Sequence, residues 1–518
     1  MVVVGAGIGG LSAAIELATR GHGVTVVEQA AAVGGKMRTL DAGGLPIDAG
    51  PTVLTMREVF DGLFERAGAR LDDVLTLRRL EVLARHAWPD GSRLDLHADP
   101  ERSAAAIEAF AGEREAEGFR RFAAHTRKIY EAVEGPFIHG EITGLLGMMK
   151  QLGPAQLWRM AAVDWHRTMW KALGEFFRDP RLRQLFGRYG TYYGSSPLRA
   201  PATLNLIAHV EQRGVWAVEG GMIRLAHALA ELLARNGGEL RLGTAVEEVL
   251  VESGRAAGVR LAGGEVLRAR AVVINAAPEA LAGGHLGAAA RGAVDPSKAP
   301  RSLSAITWAL QGRVSSFPLA YHNVVFSSDY RREFDELEAG RVPEAPTVYV
   351  CAQDRDPADP SPGLDGAPQR LFCLVNAPAR GDDEAFLGSP EIERCKEQCW
   401  TQLQRCGLEV EEIDPSQTIT TTPRDFARMF PGTGGALYGP ATHGLMATFS
   451  RPGPRTRIPG MYLVGGGVHP GAGVPMVALG GRSAARSAHE DLASTPRFLP
   501  VATSGGTSTA SAPTAAKR

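Results

Sequence analysis

The sequence predicts an α/β chain in which a doubly wound, three-layer domain is interleaved with a second domain of mixed sheet plus helices. Three observations carry this reading. The first ten residues, MVVVGAGIGG, join an apolar strand to a glycine-rich turn, and VTVVE ends the next strand on Glu28. Apolar runs typical of buried parallel strands return far along the chain, in RARAVVINAAP and in MYLVGGG. Between these returning segments lie strand patterns and long helical patterns that belong to a different layer.

The opening βαβ unit has a physical reason at each position. Gly5 lets the strand turn tightly, Gly7 leaves room for a pyrophosphate beside the backbone, and Gly10 allows close helix–strand packing. With Gly9 they form the candidate phosphate cradle. The helix expected over 8–20 directs its free N–H groups at the phosphates and stops at Gly21 and Gly23. Strand 24–27 then delivers Glu28 to a ribose, and an acid there disfavours a 2′-phosphorylated dinucleotide. In the following VGGKMRTLDAGGLPIDAGPTVL, Gly34 and Gly35 permit a tight backbone passage. Lys36 and Arg38 are candidates to meet phosphate or ring oxygens. Asp48-Ala49-Gly50-Pro51 reads as a turn into a helix over 57–67.

Strands over 77–96, with a hairpin at Pro89-Asp90-Gly91-Ser92, are expected to roof a cavity. A helical pattern with alternating charges fills 101–130. The stretch 142–177 is unusually rich in Met and Trp, and Gly153-Pro154 divides it into two helices. The second keeps an apolar stripe through Leu157, Ala161, Trp165, Met169 and Leu173. Core packing is one reading of that stripe; the other is a channel for a long apolar molecule or a face on lipid, with Lys150, Arg159, Lys171 and Arg178 as cationic points.

From Arg213 the doubly wound pattern resumes: a strand or turn at Trp216, a helix from Met222 to Arg235, strands over 239–242 and 245–251, and a hairpin at Ala262-Gly263-Gly264. Val246 sits where a backbone amide meets an adenine. Strands over 304–310, 347–352 and 370–375 and a helix over 391–407 return to the second domain. A strand over 461–464, a glycine turn at 465–467 containing Gly466, and a helix from Pro475 to about Leu492 close the chain, bringing Val474, Pro475 and Met476 to a ring site. The expected boundaries are 1–76, 213–301 and 456–493 for the cofactor domain, 77–212 and 302–455 for the substrate domain, and 494–518 for a disordered tail. A dinucleotide fold interrupted and then completed by its final helix fits a flavin, FAD, clasped between distant segments better than a plain NAD site.

Composition sets limits. Lys plus Arg number 56 against 57 Asp plus Glu, which gives no general electrostatic case for nucleic acid. Five cysteines lack the paired spacing of a zinc site and read as reduced cysteines of a cytosolic protein. Neither a signal peptide nor a membrane-spanning apolar run is evident.

Taken together, GAGIGG, Glu28, VGGKMRT, DAGPTVL, GVWAVEGGM and GGGVHPGAGVPMVALGG resemble the carotenoid desaturase family, the bacterial phytoene-desaturase type within the amine-oxidase-like flavoproteins. The paired DAGP and HPGAGVP motifs point to desaturases rather than amine oxidases. Phytoene desaturases commonly carry a more aromatic, proline-containing version of the segment that here reads GVWAVEGG. That departure is similar to the branch of purple bacteria that desaturates 1-hydroxycarotenoids at C3–C4. The resemblance covers residues 2 to about 492. It implies a glutathione-reductase/amine-oxidase type FAD-binding Rossmann-like fold and a linear C40 hydroxycarotenoid substrate. It further implies quinone or oxygen as electron acceptor and a monotopic, peripheral seat on the cytoplasmic side of a membrane.

Flavin chemistry then sets what the chain must supply. Hydride leaves an allylic C–H because the cation left behind is delocalised over the polyene, and the protein aligns that bond within about 3–3.5 Å of the flavin. His209, Glu211, Glu219 and His469 flank expected flavin-facing segments and are candidates for the proton or the hydroxyl. Each also has a structural reading: His469 ordering the turn before Pro470, Glu219 capping the Met222 helix, His209 packed in a core. Trp165, Trp170, Tyr189, Tyr192 and Tyr193 are candidates to line the tunnel. Competing readings are a phytoene or neurosporene desaturase, a carotenoid isomerase or saturase, an amine oxidase, and a non-enzymatic NAD-binding protein.

Overall fold

The computed structural model describes residues 1–140, 163–358, 366–386, 388–444 and 451–494. Its organising sheet is parallel throughout and runs in the order Met461–Leu463, Val272–Ile274, Val2–Val4, Thr25–Val27, Glu239–Arg241. Three distant parts of the chain thus share one sheet. The strands are short and apolar, and Val3, Val26, Val273 and Leu463 are fully or almost fully buried, as a sheet covered on both faces requires.

The Ile8–Ala18 helix is buried along its whole length, rich in Ala and Leu, and packed between the Ile223–Arg235 and Val474–Ser494 helices. Small residues allow that closeness. A Cβ on Gly10 would lie 2.0 Å from the Gly5 carbonyl oxygen, so the helix could not sit on its strand with any other residue there.

The second layer system is an eight-stranded mixed sheet. Its main path runs Glu411–Glu412, Ser304–Arg313, Gln369–Ala377, Val348–Ala352, His322–Val325, Val82–Ala87, Arg93–His97, and Ile419–Thr421 also pairs with Ser304–Arg313. All neighbours are antiparallel except His322–Val325 against Val82–Ala87. The hairpin expected at residues 89–92 joins the last two strands of the path. A layer of helices, including Pro100–Ala111, Glu113–Val133 and Pro180–Gly187, covers the adjoining core. Their starts follow ordinary chemistry: Asp99 and Asp179 cap helices whose first residue is proline, and Thr422 with Asp425 forms a capping box before Pro423.

Several sequence expectations need correction. The apolar stripe does not lie on one helix. Asp164 takes a left-handed φ of 52° and accepts from Arg167 at 2.6 Å and His125 at 3.1 Å, closing a turn, and Thr168 caps a new helix, Met169–Phe176. Met169 and Leu173 are buried in the helical core, whereas Trp165 is 42% exposed, so two of the described stripe residues are core and the third faces outward. Leu157, Ala161, Lys150, Arg159, the division at Gly153-Pro154 and the tail after Ser494 lie outside the described residues.

Glu219 does not cap the helix after Met222. It is exposed and pairs with Arg78, while the buried Asp48 carboxylate accepts from the Met222 N–H at 2.6 Å. An acid brought in from another strand serves because Gly220 and Gly221, both at positive φ, turn the chain so that the helix end meets the Leu45–Asp48 strand. No described helix is long and apolar enough to cross a membrane.

Candidate active site

The central spatial expectation is met: the Val474–Ser494 helix folds back beside the opening glycine loop. Gly481 packs against the Gly9 carbonyl, and a Cβ on Gly9 would lie 2.9 Å from Val464. The Gly34–Gly35 passage crosses the same loop, with the Gly34 N–H donating to the Ala6 carbonyl at 2.9 Å and a bridge between Gly7 and Gly34. No side chain caps the Ile8–Ala18 helix, which leaves its first-turn N–H groups for an anion.

Glu28 ends the second strand with its carboxylate buried. One oxygen accepts from the Ala6 N–H at 2.7 Å and the other from the Ala30 N–H at 2.9 Å. The Thr244 N–H donates to the Glu28 carbonyl at 2.7 Å, two residues before half-buried Val246. These residues fit an FAD. A helix end with free donors suits the pyrophosphate, a fixed carboxylate with lone pairs to spare suits the ribose, and three glycine-lined segments meet where a side chain would block entry.

Lys36 and Arg38 reach elsewhere. The buried Lys36 ammonium donates to the Leu437 carbonyl at 2.7 Å, and burial lowers its pKa to about 8. Arg38 donates to Thr421 Oγ1 at 2.9 Å. Both tie the glycine segment to the substrate layer.

Beside Val474, Pro475 and Met476 opens a cavity of about 320 Å³, also lined by residues 50–53 and by apolar side chains that include Leu83, Val133, Ile207, Val210 and Leu374. Gly466 lies in the turn just before this wall. The strands Val82–Ala87, His322–Val325 and Val348–Ala352 supply one side, as the expected roof. The other comes from the segment 188–193 and the Leu206–Arg213 helix.

One part of the wall is polar, with Arg188, Glu211 and His322 buried and Tyr192 and Tyr349 partly so. Arg188 donates to the Tyr192 hydroxyl at 2.7 Å, and Tyr189 donates to Glu211 at 2.6 Å. Burial opposes the Arg188 charge, but Tyr192 and Glu211 outweigh it and hold the guanidinium protonated. The Tyr349 hydroxyl joins Thr52 Oγ1 at 2.6 Å and His322 Nδ1 at 2.7 Å. Burial, then Arg188, pushes His322 down to about 3, so its ring is neutral. Burial pushes the Glu333 carboxyl up to about 7 despite hydrogen bonds from Ser327 and Thr347.

The sequence candidates divide accordingly. Glu211, Tyr192 and Tyr193 line the cavity, and Tyr189 stands behind Glu211. His209 lies half-buried against Tyr130. His469 is buried against Phe137 at the cis peptide before Pro470, with Nε2 at 3.2 Å from the Gly140 carbonyl. Trp170 packs on Tyr330, and Trp165 is at the surface. Arg188, His322, Tyr349 and Glu333 were missed. The signal for His322 and Tyr349, polar residues inside the apolar strands YHNVVF and TVYVCA, is visible only when the strands are known to face one cavity, and Arg188 and Glu333 lie on helical segments where a charge reads as solvated.

Residues 8–489 match the family described as flavin containing amine oxidoreductase. The chain is 50% identical to a hydroxyneurosporene desaturase of Rubrivivax gelatinosus over 99% of its length and 98% of that protein. It is 46% identical to the protein of the same name from Cereibacter sphaeroides, over 96% and 99%. Among solved structures it resembles putrescine oxidase bound to putrescine, with TM-score 0.58, 15% identity, and coverage of 95% and 98%. That last likeness shows the fold. With a complete family match and near-full-length relatives, the chain belongs to the flavin containing amine oxidoreductases and, among them, to the carotenoid desaturases.

Proposed function

We propose that this protein oxidises linear 1-hydroxycarotenoids, converting the C3–C4 single bond to a double bond. The observation that carries the reading is the near-full-length similarity to two hydroxyneurosporene desaturases, 50% and 46% identical. An apolar cavity beside the glycine cradle supports it.

When bound, FAD accepts the hydride of one C–H, while a proton leaves the neighbouring carbon, so two hydrogens and two electrons are removed together. The chain's own residues do the rest. Gly5, Gly7, Gly9 and Gly10 would take the pyrophosphate against the helix end, with Gly35 behind them, while Lys36 and Arg38 anchor that glycine segment to Leu437 and Thr421. Glu28 would take the ribose hydroxyls and Val246 the adenine. Gly466, Val474, Pro475 and Met476 would hold the ring against the cavity. The apolar walls align the polyene and exclude bulk water. A quinone or oxygen would serve as the electron acceptor, and the enzyme would draw its substrate from the cytoplasmic face of a membrane on which it rests.

Glu28→Ala is expected to weaken FAD retention by about 1–3 kcal/mol, since charge-assisted hydrogen bonds are lost. Equilibrium dialysis of FAD checks this, and unchanged retention contradicts the cradle. The function is tested by giving flavin-loaded protein 1-hydroxyneurosporene and neurosporene side by side in liposomes. One added conjugated double bond in the hydroxylated product is expected. Preferred turnover of the plain carotenoid would instead mark a phytoene or neurosporene desaturase.

A further inference from the structure

A cavity that serves only a hydrocarbon has no use for buried charges, because desolvating two of them costs several kcal/mol in order of magnitude. Here Arg188 and Glu211 are both buried at the wall of an otherwise apolar cavity, held by Tyr192 and Tyr189. Several of the polar atoms around them are incomplete. Among the described residues, Arg188 Nε, His322 Nε2 and the Tyr330 hydroxyl are buried without a hydrogen-bond partner, and all three side chains line this cavity. Such groups mark a place built for a polar atom of the ligand.

The chemistry of that atom follows from the donors. Arg188 Nε carries a proton to give. His322 Nε2 gives or accepts according to the tautomer set by Tyr349 at its other nitrogen. A hydroxyl both donates and accepts, so it satisfies the arginine and either form of the histidine. The Arg188 and Glu211 charges offset one another, which favours a neutral group over a carboxylate or an amine.

The polar wall and the 474–476 wall share one cavity. An oxygen on C-1 stands within about 5 Å of the C3–C4 bond, so its partner must lie close to the reacting bond. His322 is joined through Tyr349 to Thr52, in the segment that lines the cavity together with Val474 and Met476.

Resting on the function proposed above, we propose that Arg188 and His322, positioned by Tyr192, Glu211 and Tyr349, bind the tertiary C-1 oxygen of the carotenoid and select oxygenated over hydrocarbon end groups. A site built to hydrogen-bond a hydroxyl rejects the analogue lacking it, because its own polar groups are then left buried and unpaired.

The test compares kcat/KM for 1-hydroxyneurosporene and neurosporene in liposomes, in wild type and three variants: Tyr192→Phe, His322→Phe, and the double change Arg188→Met with Glu211→Met. The double change removes both charges together, so neither is stranded. The ratio of the two substrates is expected to fall at least tenfold in the His322 and double variants, and less in Tyr192→Phe. If the double variant does not fold, His322→Phe and Tyr192→Phe decide. A wild type that prefers the hydroxylated substrate while every flavin-loaded variant keeps the full ratio overturns this assignment and leaves the desaturase reading standing. A wild type that does not distinguish the two substrates overturns both.

Discussion

Gly481→Val is expected to strip the protein of flavin and to lower its thermal midpoint. A Cβ at residue 481 would lie 2.4 Å from the Gly9 carbonyl oxygen and 2.9 Å from the Ala13 nitrogen. Those are backbone atoms of the buried Ile8–Ala18 helix, with no side chain free to swing away. The two helices must separate, at a cost of about 1–3 kcal/mol for overpacking a close contact, and the glycine loop moves with them. Flavin absorbance per mole of protein and a melting curve read both consequences. Gly292→Val, where nothing lies within 4 Å, is the control expected to stay near wild type. Full flavin content in Gly481→Val would show that the helix pairing does not shape the cofactor cleft.

Glu333→Gln is expected to change how stability depends on pH. Glu333 is buried between Ser327 and Thr347, and burial raises its pKa from the ordinary 4.5 to about 7. The folded chain therefore binds this proton more tightly than the unfolded chain does. Its contribution is fully present below about 4.5 and is lost as pH rises to 7, where the charge must be carried inside the protein. The loss is about 3 kcal/mol if the whole shift is expressed. Gln keeps the acceptor for the Thr347 N–H and has no proton to lose. Denaturation at pH 5 and pH 8 should show the wild type losing more stability than the variant on going to the higher pH. Equal losses would mean that Glu333 does not titrate in this window.

What was legible in the sequence was what is local. The glycine spacing from Gly5 to Gly10 and the acid at Glu28 lie within one βαβ unit, and the hairpin at 89–92 is set by its own turn residues. The helix returning from Val474 was legible because glycine motifs announce it. Non-local pairing was not. The His322–Val325 strand joins Val82–Ala87 in parallel across more than two hundred residues, and no neighbouring pattern reports that. The helix Tyr330–Glu338 hides its burial: Glu333 and Glu336 face inward among Tyr330, Phe334 and Leu337, so charge that reads as solvated is partnered inside. Asp48 shows the same gap, since a cap supplied by a distant strand leaves no signature before Met222. At the site, the glycine motifs announce themselves by their own spacing, whereas the polar wall depends on which strands face the cavity.

The central claim is that one FAD, held between the glycine loop and the Val474–Ser494 helix, takes two electrons from a hydroxycarotenoid in the adjoining cavity. The most direct measurement is a single turnover without oxygen or quinone, following flavin absorbance after 1-hydroxyneurosporene is added in liposomes. Bleaching of the oxidised flavin is predicted, with one molecule of further-conjugated carotenoid formed per flavin reduced. Flavin that stays oxidised with the carotenoid, yet bleaches with a soluble amine, would contradict the account.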